Sequence, residues 1–207
     1  MSLFITFEGG EGCGKSIQAE ALHERLCREG IPAILTHEPG GTTLGDEICH
    51  ILKWNEDLDI TPLTELLLFN ASRSQLVAKV IKFNLKRGKV VICDRFTDST
   101  IVYQGHGRGI DINVIRNIND AATQGLQPDL TILLDLPVKI GFARRNNNLQ
   151  DRFEKAELTF HERVHQGYLE LAAEEPERFL VVDANQGKGK ITDIIWQKVN
   201  QLLQLRT

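Results

Sequence analysis

Gly9-Gly10-Glu11-Gly12-Cys13-Gly14-Lys15-Ser16 fits the pattern G-x-x-x-x-G-K-[ST], and its surroundings are those a phosphate-binding loop needs. Leu3 to Phe7 before it is a short apolar, β-prone run, and Ile17 to Arg28 after it follows helical periodicity. The glycines let the backbone approach an anion without Cβ clashes. The helix that follows aims its unpaired N–H groups and positive dipole end at the same point. Gly9, Gly10, Glu11, Gly12, Cys13, Gly14, Lys15 and Ser16 therefore read as an ATP site. Lys15 would reach the β/γ-phosphates and the Ser16 hydroxyl would sit on a magnesium ion, Mg2+. A chance glycine-rich turn would lack the strand before and the helix after.

Outward from the loop, unbroken apolar runs recur at Leu3–Phe7, Ala33–Thr36, Val90–Cys93, Leu130–Leu134 and Phe179–Val182. Between them, Ile17–Arg28, Leu44–Lys53, Leu63–Arg87, Ile112–Gln124, Glu154–Glu174 and Ile191–Leu205 can each be written as a helix with an apolar stripe. Strands without polar alternation are buried on both faces, which means a parallel sheet covered by helices. The expectation is an α/β, three-layer P-loop NTPase fold with a five-stranded parallel sheet and right-handed crossovers. Ligands of such folds lie beyond the carboxyl ends of the strands. No linker or repeat divides the chain, so residues 1–207 read as one domain. Arg144-Arg145-Asn146-Asn147-Asn148-Leu149-Gln150-Asp151-Arg152 is turn-forming, and its arginines favour a short phosphate-closing lid at about 144–153.

The net charge of 24 − 28 = −4 argues against a general nucleic-acid binder, which needs a basic face. No apolar run approaches the ~20 residues of a membrane span. The N-terminus lacks the layout of a signal peptide, and Cys13, Cys27, Cys49 and Cys93 form no C-x-x-C pair. A cytoplasmic enzyme with reduced thiols is the plain reading.

The other strand ends must say what receives the phosphate. After the second run stands His37-Glu38-Pro39-Gly40-Gly41-Thr42, and after the third Asp94-Arg95-Phe96, then Asp98-Ser99-Thr100 and Tyr103-Gln104-Gly105. Between them lies Glu65-Leu66-Leu67-Leu68-Phe69-Asn70-Ala71-Ser72-Arg73. Arg95, next to an acidic residue at a strand end, can hold an acceptor phosphate bidentately. Asp94 is placed for Mg2+, directly or through water. Phe69 and Arg73, at i and i+4, project together.

Together these blocks resemble the thymidylate kinase family, which makes dTDP from dTMP, and the resemblance runs essentially the full length. It implies that Phe69 stacks on thymine and Arg73 bonds its edge. It places Tyr103 against the sugar, leaving no room for a 2′-hydroxyl. Thr100 and Gln104, with Ser99 beside them, fall near the base, and Glu38 and Pro39 line the floor of the pocket. Adenine falls near Asp183 to Gln186, including Asn185. Loop positions 10 to 13 carry no basic residue, so the resemblance assigns the charge-neutralising cations to Lys15, Arg95 and the lid, with Arg145 and Arg152 first and Arg144 next. Two departures stand out. His37 occupies a position that is often Arg, and Cys13 replaces Ala, which would expose the site to thiol reagents. The resemblance also implies a homodimer through helices beside Leu63–Arg87. That segment carries more apolar surface (Leu66, Leu67, Phe69, Leu76, Val77, Val80, Ile81) than one core face easily absorbs.

Two other readings are weaker. A different small-molecule kinase would not need the Phe69/Arg73 pair and Tyr103-Gln104, and a nucleotide switch would need a guanine-reading N-K-x-D. His161-Glu162-Arg163-Val164-His165 matches the H-E-x-x-H zinc pattern but has no third-ligand pattern with it, so it is set aside.

Overall fold

The computed structural model describes residues 2–55, 58–144 and 151–205. Five parallel strands stand in the order β2-β3-β1-β4-β5: β1 (Leu3–Glu8), β2 (Ala33–His37), β3 (Val90–Asp94), β4 (Leu130–Asp135) and β5 (Phe179–Asp183). The expected runs are all strands. β1 is buried along its whole length between β3 and β4, in the register Phe7↔Asp94 and Glu8↔Leu133. The edge strands β2 and β5 show Leu35 and Val181 to solvent, as one-sided edges do.

Side chains alternate across β1, and each face has its own task. Leu3, Ile5 and Phe7 pack in one core with Leu22 and Leu26 of α1 (Lys15–Arg28) and Ile195 and Val199 of α9 (Lys188–Leu205). On the other face Phe4 meets Phe96 edge-on with centroids 4.9 Å apart, and Thr6 bonds Thr131 at 2.9 Å. Glu8 follows on that face at the strand's end. Burial of the apolar strand faces is what holds the layers together.

α2 (Thr43–Trp54) starts on Thr42, whose hydroxyl accepts from Gly45 N–H, and α3 (Pro62–Leu76) starts on Thr61 with proline in its first turn. The long helix expected at Leu63–Arg87 is present but not uniform. α3 runs into a π-helical turn at Val77–Ile81 and then α4 (Lys82–Leu85). Leu66, Leu76, Val77 and Ile81 are fully buried, which leaves Leu63 and Leu67 as its exposed leucines.

After β3 the chain forms α5 (Thr97–Thr100), which passes into a π-helical stretch at Ile101–Gly107, and then α6 (Ile112–Thr123). α7 (Val138–Arg144) follows β4, and α8 (Leu158–Glu174) precedes β5. The helix expected from Glu154 thus starts four residues late. Asp151 explains the delay: its Oδ1 accepts from the N–H groups of Phe153 and Glu154, both at 2.9 Å, a local turn that competes with helix. Positions 145–150 of the expected lid lie outside the described residues.

Candidate active site

The glycine-rich loop leaves β1 and enters α1 through Gly14, at φ 92°. Lys15 folds back so that its Nζ donates to Gly10 O at 2.8 Å and lies 3.7 Å from Cys13 Sγ. Gly12, at φ 71°, sits against Gly141 of α7, where a Cβ would strike the backbone. Packing therefore seats the segment that leads toward the lid on the loop itself. Cys13 is only 3% exposed, so the loop thiol is shielded rather than open to reagents.

Ser16 Oγ donates to Asp94 Oδ2 at 2.5 Å, and Asp94 Oδ1 is buried without a hydrogen-bond partner among the described residues. A buried orphan oxygen beside a hydroxyl fits a hydrated Mg2+. Among the described residues no cluster of three or more His, Cys, Asp or Glu could hold a metal ion. Asn185 sits on the turn after β5. There Arg144 donates to Ala184 O at 3.0 Å and to Asn185 Oδ1 at 3.2 Å, so this arginine braces the expected adenine side.

Glu38, Pro39, Phe69, Arg73, Arg95, Thr100, Tyr103 and Gln104 all line one cleft, together with Glu11, Ser99 and Phe153. Arg95 adopts φ 71°, strained for a residue with a side chain. Its guanidinium donates to Glu11 Oε1 at 2.7 Å, Gly9 O at 3.2 Å, and Ser99 Oγ and Tyr168 Oη at 3.3 Å each. One cation thus touches the phosphate loop and the cleft together. Tyr103 Oη donates to the same Glu11 oxygen at 2.8 Å.

Glu8 lies beneath this cation. It accepts from Phe96 N at 2.7 Å, Ser99 Oγ at 2.7 Å and Tyr168 Oη at 2.8 Å. Burial, with Asp98 nearby, pushes its carboxyl up to about 7 against the opposing pull of Arg95 and the two hydroxyls. Burial also pushes the Tyr103 and Tyr168 phenols well up, so both remain donors.

Arg73 is 1% exposed and forms the cleft's inner wall. Nε donates to Glu38 Oε2, NH1 is shared among Asn70, Thr100 and Asn119, and NH2 donates to Phe96 O while pairing ionically with Glu38 Oε2 at 2.6 Å. A guanidinium has five N–H groups, and protein acceptors engage most of them. Glu38 Oε1 has no partner among the described residues, and burial raises the Glu38 carboxyl despite Arg73.

Arg152 is not near Lys15 in these contacts. It donates to Glu65 Oε2 at 2.6 Å and to Leu52 O at 3.1 Å, at the end of α2. The next residue, Phe153, packs on Phe69 with centroids 5.5 Å apart. Arg145 lies outside the described residues.

Sequence reasoning did not find Asn119, Tyr168 or Phe153. Asn119 is one polar residue on an amphipathic helix, and Tyr168 carries an apolar ring at a core position. Phe153 alone had a signal, an aromatic directly after the lid arginine. The H-E-x-x-H histidines have structural tasks: buried His161 meets Phe142 and Phe160 edge-on, and His165 Nε2 pairs with Asp135 at 2.7 Å.

The model of the family described as thymidylate kinase matches residues 7–195. The chain belongs to the thymidylate kinase family. Thymidylate kinase of Dehalococcoides mccartyi is 53% identical over 205 residues, covering 99% of both chains. That of a Synechococcus species is 47% identical, covering 99% of this chain and 98% of its own. The crystal structure of thymidylate kinase from Ehrlichia chaffeensis superposes with a TM-score of 0.77 at 34% identity, covering 97% of this chain and 98% of that one. The family's α/β fold is therefore the fold of this chain.

Proposed function

We propose that this member of the thymidylate kinase family transfers the γ-phosphate of ATP to dTMP, giving dTDP and ADP on the route to dTTP. The observation that carries the reading is Arg95, whose guanidinium bonds the loop at Gly9 and Glu11 while lining the cleft with Phe69 and Tyr103. A cation so placed can hold the acceptor phosphate against the donor's γ-phosphate. The acceptor oxygen is already anionic, so no strong base is needed and catalysis is alignment plus neutralisation of charge.

In this reading Gly9 to Ser16 bind the triphosphate, Lys15 neutralises the transferring group and Asn185 borders adenine. Ser16 and Asp94 would hold Mg2+, which would supply charge neutralisation to the triphosphate. Phe69 stacks on the base, Tyr103 closes the space a ribose hydroxyl would need, and Glu38, Pro39, Arg73, Thr100 and Gln104 complete the wall. Arg145 stays the lid arginine proposed to meet the phosphates. Residues 1–207 act as one domain in the cytoplasm, with small nucleotides rather than nucleic acid as partners. A homodimer is proposed through α2 and α3, which pack on each other and expose Leu44, Ile51, Leu63 and Leu67. A clean monomer in size-exclusion chromatography with light scattering would remove the dimer.

The activity is tested with [γ-32P]ATP, Mg2+ and a panel of dTMP, UMP, CMP, AMP and thymidine. Label in dTDP with little in the other products is expected. Transfer to thymidine but not to dTMP would make the protein a nucleoside kinase.

A further inference from the structure

Glu65 is a carboxylate only 1% exposed that the transfer reaction does not use. It lies on α3 one turn before Phe69 and two before Arg73, on the face that α3 gives to the cleft. Its Oε1 accepts from Gln104 Nε2 at 2.8 Å and Arg108 Nε at 3.4 Å, and its Oε2 accepts from Arg152 at 2.6 Å and Arg108 NH2 at 3.4 Å. The two arginines hold the carboxylate in place.

An ionised carboxylate only accepts hydrogen bonds, so it decides which way the Gln104 amide faces. The nitrogen end goes to Glu65. The oxygen end is left as an acceptor in a residue that lines the cleft, and nothing bonds it among the described residues. The neighbouring polar groups are committed. Arg73 carries only donors, so it cannot accept an N–H, and the Thr100 hydroxyl is bonded to Thr97 O at 2.7 Å and Asn119 Oδ1 at 2.9 Å.

We propose that Glu65 is a specificity-determining positioning residue: it presents the Gln104 carbonyl oxygen to the imino N–H of an imide base. The cleft then takes thymine or uracil and rejects cytosine, whose ring nitrogen at that place is itself an acceptor. Two buried acceptors facing one another lose a hydrogen bond and leave both groups unsatisfied. This rests on reading the cleft as the dTMP site.

The test compares kcat/KM for dTMP and 5-methyl-dCMP in the wild type, Glu65→Gln and Gln104→Met. In Glu65→Gln the new amide keeps its oxygen on Arg152, at 2.6 Å the closer of the two arginines, and turns its nitrogen to Gln104, which reverses the Gln104 amide. The dTMP to 5-methyl-dCMP ratio should fall about 10- to 100-fold, with KM for ATP unchanged. Gln104→Met leaves Glu65 and both arginines untouched and should also collapse the ratio. An unchanged ratio in either folded variant overturns the proposal, as does an equal loss for both acceptors in Glu65→Gln. If Glu65→Gln lacks the wild-type circular dichroism, Gln104→Met decides alone. Wild type that fails on dTMP would sink the kinase reading instead, whereas good dTMP turnover with an unmoved ratio sinks only the role of Glu65.

Discussion

The phosphate loop draws its groups from eight consecutive residues and presents mostly backbone, whereas the acceptor cleft gathers charged and hydroxyl side chains from the ends of β2 and β3, from α3 and from α5. The loop needs glycines at positive φ and the start of one helix, so its geometry is nearly a local property. The cleft needs Arg73 and Arg95 brought together with Glu38, Glu11 and Glu8, so its geometry depends on the whole sheet. Damage to the loop should therefore impair chemistry and leave the fold intact, while damage to the cleft should impair the fold as well.

The sharpest separation is expected from Lys15→Ala. It should lower kcat about 10³-fold or more, because a preorganised cation on the transferring phosphate is lost. Binding of dTMP, read by calorimetry, should survive; a parallel loss of dTMP affinity would break the comparison. Arg73→Ala should act in the opposite way. It leaves Glu38 buried and uncompensated, and urea unfolding should show a loss of about 3–5 kcal/mol. A loss under about 1 kcal/mol would mean that the inner wall is not held by this pair.

A smaller effect is expected from Tyr168→Phe, which deletes one hydroxyl that donates to Glu8 and accepts from Arg95. KM for dTMP should rise up to about tenfold with KM for ATP unchanged. Equal changes in both would place the hydroxyl in general packing.

The most gradual effect is a pH slope. Folding raises the Glu8 carboxyl from 4.5 to about 7, so the folded state binds this proton more tightly than the unfolded chain does. The associated stability is present below about 4.5 and is lost as pH climbs through about 7. Glu8→Gln should make the fall in stability over that range shallower, with Glu38, raised in the same direction by burial, keeping part of it. An unaltered slope would show that Glu8 does not titrate there.

The same contrast explains what could be read from the chain. The five strands, their parallel sense and the loop were legible because apolar runs and G-x-x-x-x-G-K-[ST] are short-range signals. The place of Arg95 at the cleft was legible because it stands beside Asp94 at a strand end. The tasks of Asn119, Tyr168 and Glu65 were not, since each depends on partners 46, 73 and 39 positions away. Glu65 and Phe69 appeared in one motif, but periodicity shows a shared face and not which amide a carboxylate turns. Arg152 sits on Glu65 for the same reason: the sequence places three arginines in the lid and leaves their acceptors to the fold.

The measurement that tests the account most directly is calorimetric binding of dTMP and thymidine to the wild type and to Arg95→Gln. If Arg95 anchors the acceptor phosphate, the wild type prefers dTMP and the variant binds the two ligands alike. A preference for dTMP that survives undiminished in Arg95→Gln would contradict the account and move the acceptor phosphate elsewhere.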